Sequence, residues 1–417
     1  MSLLPTLLGL AVTADLKTRD EPITGVRGAL LATYLFAVVM VATTLPTPLY
    51  AIYAARLSLQ PLMIAVIYAV YAIGVVAALL CFGRLADQVG RKPVLLAAVA
   101  LSAISGVVFM ATNDLPGLFA GRLLSGLSAG LVTGAATAYI SELDGHHPRG
   151  GLLATVANMG GLGLGPLIAG VLAEHGPAPT TLPYGVGVAL LIPALLVLRV
   201  PDTVKPQRST GVRDWFRPQG VGVPSELRAP FTAAAIGGFV GFALLGFITA
   251  LVGSFLANGL SDHSHQTAGV VSFLVFAAAA TAQVGAGQLS PHRASLIGLA
   301  IVPLGLGLVT AALPTRSLAL FVIGALIGGF GVGFAFHAGV VSITARAPDE
   351  RRGEVLSTFF VVAYVGLTVP VVGAGLLITD ATLFVATLTL AMVVATLAAI
   401  AGGLLLRLRQ GADTATG

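Results

Sequence analysis

Apolar residues in this chain come in runs of about 20 or more, long enough to cross a bilayer, separated by short polar or Gly/Pro-rich breaks. Divided at those breaks, the sequence predicts twelve spans, over residues 29–54, 61–82, 93–112, 117–141, 151–173, 182–200, 230–257, 267–289, 294–313, 317–343, 355–379 and 381–406. Backbone polar groups in hydrocarbon must be bonded within their own segment, so such runs read as α-helices. The expected class is an all-α polytopic membrane protein, and an even number of spans puts both termini on one side.

The pattern also repeats. At an offset of 203 residues, "GRLLSGLSAGLVTGA" (121–135) overlays "GALIGGFGVGFAFHA" (324–338), matching Gly121, Gly126, Gly130 and Ala135 with Gly324, Gly329, Gly333 and Ala338. The same offset carries Arg149-Gly150 onto Arg352-Gly353 and Gly170 onto Gly373. Two six-helix halves are therefore expected, 29–200 and 230–406, flanked by an N-terminal segment (1–28) and a tail (407–417). Between them lies a linker (201–229) rich in proline and basic residues, in which Trp215 and Phe216 are candidates for the membrane interface. Duplicated helical membrane proteins of this plan are secondary transporters, with the site at the repeat interface near the midplane.

Composition adds the orientation. Only 9% of residues are charged and 56% are hydrophobic, with a mean hydropathy of +0.96, against roughly 25% charged in a soluble domain. Of the 22 Lys and Arg, all but Arg56, Arg122 and Arg316 fall in the two tails, in loops 2–3, 4–5, 6–7, 8–9 and 10–11 or, for Arg199, at the loop 6–7 end of span 6. The positive-inside rule makes that side cytoplasmic, giving N-in/C-in. The net charge of +5 is explained by these loops without any nucleic-acid partner. The arginine-over-lysine bias, with abundant Ala and Gly, reads as GC-rich coding in a bacterium, which places the chain in a bacterial cytoplasmic (inner) membrane. Residues 2–14 are apolar but too short to span and lack a positive n-region, so an uncleaved interfacial segment is preferred to a signal peptide.

The charges concentrate at "GRLADQVGRKPVLL" (83–96), between spans 2 and 3. Gly83 and Gly90 permit close approach or positive φ, Pro93 suits a first helical turn, and Asp87 can meet both the start of span 3 and nearby guanidinium groups. This loop resembles motif A of the major facilitator superfamily, matched at Gly83, Leu85, Asp87, Gly90, Arg91, Lys92 and Leu96. The resemblance implies a charge latch that locks the halves together on the cytoplasmic side in the outward-open state, with Glu142 as its acidic partner and Arg149 as the basic residue beyond. The equivalent loop 8–9, "GQLSPHRA" (287–294), keeps Gly287, Leu289 and Arg293 but no aspartate, so the latch is asymmetric. "RLLSGLSAG" (122–130) is similar to motif B of span 4. "GGLGLGPLIAG" (160–170) resembles motif C of span 5 at Gly161, Gly165, Pro166 and Gly170. Motif C is associated with drug:proton antiporters and so points to export; a Gly/Pro-rich segment that only packs and bends is the competing reading.

Ionisable groups inside spans are functional candidates by default. Arg122 and His337 are the two here: the arginine is either part of transport or an anchor to backbone carbonyls, and the histidine either a proton or substrate contact or merely hydrogen-bonded. Tyr34, Tyr50, Tyr68, Tyr71, Phe247, Phe255, Phe334 and Tyr364, with Asn158 and Gln283, are candidates for a cavity lined by spans 1, 4, 7 and 10. The "PTPLY" run (46–50) is expected to bend or end span 1. No acidic residue falls well inside a span, so protons, if they drive transport, must pass through Asp87, Glu142, Arg122 or His337, or arrive on the substrate. Export of small organic or drug-like molecules coupled to protons leads; import or uniport of a metabolite on the same fold is the alternative, with a membrane enzyme or receptor more remote. The sequence contains no Walker loop, no H-E-x-x-H and no metal-spaced Cys/His cluster, so no catalytic residue, cofactor or metal is expected. A monomer in the bilayer is the expected state.

Overall fold

The computed structural model describes residues 23–145, 147–204 and 220–415. Most of the N-terminal segment, the central part of the linker with Trp215 and Phe216, and the last two residues lie outside the described residues. Twelve helices among those described are long and apolar enough to cross a membrane: Gly25–Leu57, Pro61–Phe82, Arg91–Ala111, Leu115–Leu143, Arg149–His175, Leu182–Arg199, Ser225–Gly259, His265–Ala286, Pro291–Thr315, Leu318–Thr344, Arg352–Thr379 and Leu383–Gln410. They are numbered spans 1 to 12.

The helix boundaries follow local chemistry. Proline occupies the first turn of spans 2, 4, 6 and 9, where its missing N–H costs nothing. The side chains of Asp114, Ser264, Ser290 and Ser317 cap spans 4, 8, 9 and 10. Span 1 bends as expected at Pro46 and Pro48: the α-helix Gly25–Thr44 tightens to a 3₁₀ turn at Thr47–Leu49 and resumes at Tyr50–Leu57. Span 7 ends in a π turn, Phe255–Gly259, and its most apolar window is the most fully buried of the twelve, whereas that of span 12 is the least buried.

Side-chain contacts tie alternate loops to one end. Arg91 reaches Glu142 and Asp202, joining loops 2–3, 4–5 and 6–7. Glu354 lies against Gly222, and Arg293, Arg346 and Arg409 share one cavity, so loops 8–9 and 10–11 and the C-terminal tail sit at the second half's corresponding end. This is called the basic end below. At the opposite end Arg56 donates to Thr180, and the backbone N–H of His265 donates to Glu174.

The halves meet along two helix pairs, span 5 with span 8 and span 2 with span 11. The repeat maps span 5 onto 11 and span 2 onto 8, so the two pairs are images of one another. Both depend on missing side chains near the opposite end. A Cβ at Gly170 would stand 3.1 Å from the Cα of Gly269, and one at Gly375 would stand 3.0 Å from the Cα of Leu62. Adding 203 to 62 gives 265, the residue whose carbonyl faces Gly170, but adding 203 to 170 gives Gly373, which faces open space, so the second crossing is shifted by two residues along span 11.

Candidate functional site

Between the halves lies a cavity of about 720 Å³, counting its open mouth. Its wall is built from stripes at helical spacing: Met40, Thr44 and Thr47 on span 1; Tyr68 and Tyr71 on span 2; Asn158, Met159 and Leu162 on span 5; Phe242, Leu245 and Thr249 on span 7; Phe360, Tyr364 and Leu367 on span 11. Steps of three and four residues keep each set on one face of its helix. Arg122 and Thr133 of span 4, Phe276 of span 8 and Phe336 of span 10 complete it. The one charged group in this wall is Arg122.

Arg122 is only 2% exposed. Its Nη1 donates to the carbonyl oxygen of Thr43 at 2.8 Å, and its guanidinium carbon lies 4.5 Å from the ring centroid of Tyr71, 5.5 Å from that of Tyr68 and 6.0 Å from that of Tyr50. A buried guanidinium needs compensation for lost hydration. Here a carbonyl dipole and three aromatic faces supply it; a cation–π contact is worth about 0.5–2 kcal/mol as desolvation increases. The compensation is incomplete, because Arg122 Nε and the Tyr50 hydroxyl are both buried without a hydrogen-bond partner among the described residues. The chamber thus ends in a cation and a hydroxyl with unused hydrogen-bonding capacity.

Toward the opposite end the halves are sealed. Tyr68 and Thr249 share a buried hydrogen bond of 2.7 Å between spans 2 and 7. Because the Thr249 hydroxyl donates to the Leu245 carbonyl at 2.6 Å, the tyrosine is the donor. Further out, His175 meets Gln266 at 2.8 Å, and Glu174 Oε2 accepts from the His265 N–H at 2.8 Å, where span 8 begins.

The four motif C positions pack span 5 on one side against span 1 of the same half and on the other against span 8 of the second half. Gly161 faces the Ala37 carbonyl and Met40 of span 1, Gly165 faces Thr44, and Gly170 faces span 8. Pro166, which cannot donate to the Leu162 carbonyl, has its own carbonyl against Gly269.

At the basic end Arg91 Nη1 pairs with Asp87 at 2.6 Å and Nη2 with Glu142 at 2.8 Å. Glu142 also accepts from Thr203. Gly90 adopts φ +102°, and a Cβ there would collide with Asp202, which accounts for the glycine. One expectation is corrected here. The first N–H groups of span 3, from Arg91 and Lys92, are capped by Asp202 at 3.0 and 3.1 Å rather than by Asp87, because Asp87 lies on its own short helix, Leu85–Val89. Arg149, at the start of span 5, pairs with the buried Asp144 that ends span 4 at 3.3 Å. Lys92 Nζ donates to the Leu198 carbonyl at 2.9 Å. Gly83 ends span 2.

Of the proposed cavity residues, Tyr68, Tyr71, Asn158 and Tyr364 line the chamber and Tyr50 adjoins Arg122. The others are placed elsewhere. The Tyr34 hydroxyl donates to the Leu190 carbonyl at 2.9 Å, tying span 1 to span 6. Phe247 and Phe255 pack edge-to-face at 6.4 Å inside the second half, with Phe255 stacked on Phe321. Phe334 packs on the Ala286, Ala294 and Ala338 cluster. Gln283 is buried with its Nε2 unpartnered and, like the half-buried His337, is not in the chamber wall. The threonines at 44, 47, 133 and 249 were missed; those on span 1 share a stripe with Met40, which the helical period could have exposed.

The family model of the major facilitator superfamily matches residues 31–297. The chain belongs to the major facilitator superfamily. Among curated relatives, the multidrug resistance protein MdtL of Escherichia coli strain S88 is 26% identical over 325 residues, covering 75% of this chain and 78% of MdtL. Among solved structures, a point mutant of the nucleoside transporter NupG superposes with a TM-score of 0.68 at 16% identity, over 90% of this chain and 99% of that one. The human organic anion transporter MFSD10 superposes with a TM-score of 0.63 at 18% identity, over 90% and 98%. These superpositions establish the fold.

Proposed function

We propose that this transporter exports small organic molecules, aromatic or amphipathic and neutral or anionic, from the cytoplasm by alternating access in exchange for protons. The observation that carries the reading is the chamber wall: aromatic and aliphatic side chains, four threonines, and one buried cation with a free Nε at its sealed end. Such a wall gains from burying an apolar solute and offers a counter-charge to an acidic group. The motif C segment and the resemblance to MdtL support export. The Lys/Arg bias supports a cytoplasmic basic end, and the seal at the opposite end then makes this an inward-facing state. Asp87, Arg91 and Glu142 pair here within the first half.

His337 is proposed as the proton-responsive group, since imidazole titrates near neutrality. A second reading, uniport or import of a metabolite, is favoured by the lack of any carboxylate in the chamber wall. Cells expressing the chain, preloaded with anionic, neutral and cationic fluorescent aromatics, separate the two. The proposal expects efflux of anionic or neutral probes that a protonophore collapses. Downhill equilibration in both directions, indifferent to the protonophore, would remove proton exchange and leave uniport.

A further inference from the structure

A second cavity, of about 1790 Å³ counting its open mouth, lies at the basic end of the second half, away from the chamber around Arg122. Its walls are the start of span 9, the ends of spans 10 and 12, and the first residues of span 7. Arg293, Arg346 and Arg409 line it together with His292, and no carboxylate among the described residues does. The Nε2 of His292 is buried without a hydrogen-bond partner among the described residues. The first turn of span 9, capped by the Ser290 hydroxyl, forms part of the same wall and adds the positive end of its helix dipole. The guanidinium groups of Arg293 and Arg346 face one space and repel one another, and an anion bound between them relieves that repulsion.

The rest of the wall identifies the anion. Leu405 and Leu408 of span 12 and Val341 of span 10 give the cavity an apolar side, where helices end at the membrane surface. A free phosphate would satisfy the arginines and leave that side in water. A phospholipid satisfies both, with its phosphate on the arginines and its glycerol and first acyl carbons on the leucines. We infer that this cavity binds the headgroup of an anionic phospholipid, with the phosphate held by Arg293 and Arg346. The inference rests on the cavity alone and does not depend on what the central chamber carries.

Native mass spectrometry of the full chain in detergent, titrated separately with phosphatidylglycerol, phosphatidylcholine and inorganic phosphate, tests it. Each basic residue near an anionic headgroup contributes about 1 kcal/mol, so the Arg293→Gln/Arg346→Gln variant should bind phosphatidylglycerol at least about tenfold more weakly. An Arg27→Gln/Arg199→Gln variant, which removes equal charge from the first half, should leave that affinity unchanged. If the double variant cannot be purified, each single variant should show about a fivefold loss. Equal losses in the two double variants, or no loss in the singles, would overturn the site. Inorganic phosphate binding as tightly as phosphatidylglycerol would overturn its assignment to lipid.

Discussion

The hydrogen bond between Tyr68 and Thr249 gives the alternating-access reading a quantitative test. It joins the halves on the sealed side of the chamber, so it must break when the outer side opens, and both hydroxyls then reach water. Tyr68→Phe removes the donor but leaves Thr249 bonded to the Leu245 carbonyl. The sealed state then loses one net buried hydrogen bond, about 0.5–1.5 kcal/mol, and the outward-open population rises about 2- to 12-fold. Thr249→Val instead strands the tyrosine hydroxyl in a buried site, a penalty of about 1–3 kcal/mol, and should shift the population further. The double variant strands nothing, so it should fall back toward Tyr68→Phe. Spin labels at Ala55→Cys and His263→Cys in a Cys81→Ser background, read by pulsed electron paramagnetic resonance, report the outer distance distribution. An unchanged population in Tyr68→Phe, or a double variant equal to the sum of the singles in free energy, would refute the reasoning.

Three further outcomes follow from the same geometry. Gly170→Leu places side-chain atoms where a Cβ alone would lie 2.5 Å from the His265 carbonyl oxygen; it should block the outer seal, abolish transport and leave expression intact, which flux and the same distance measurement would read. Asp202→Ala removes the cap from the first turn of span 3 and should cost about 1–2 kcal/mol, seen as a thermal midpoint lower by a few degrees. His337→Ala should flatten the pH dependence of flux around neutrality while leaving downhill transport; a profile like that of the parent protein would exclude the histidine.

The spans were legible because lipid demands long apolar runs and because proline at the first helical turn punctuates them: residues 61–82 were expected and Pro61–Phe82 is observed. The repeat was legible because close helix crossings need glycine at fixed register, as at Gly126 and Gly130. Which aromatic faces the chamber was much less so. A helix bordered by lipid on one side and core on the other is apolar all round, so it lacks the polar face that orients a soluble helix. Phe242 lines the chamber and Phe247 does not; five positions apart, they point about 140° from each other, and nothing in composition says which direction is inward. Asp202 escaped notice for another reason. It lies 111 positions from Arg91 in a linker that reads as basic, and only the folded chain brings it to the span 3 terminus. Arg122 was legible as a buried charge, but its three tyrosine faces come from spans 1 and 2 and needed the fold.

The central claim is that solute crosses through the chamber ending at Arg122. It is tested most directly by flux of an anionic aromatic probe into inside-out vesicles with an acid interior, comparing the parent protein with Arg122→Gln, whose glutamine keeps polarity but loses the charge. The account predicts accumulation that a protonophore collapses and that Arg122→Gln reduces by at least about tenfold, the value of one charge-assisted hydrogen bond in a buried site. Equal accumulation in the parent and the variant would contradict it.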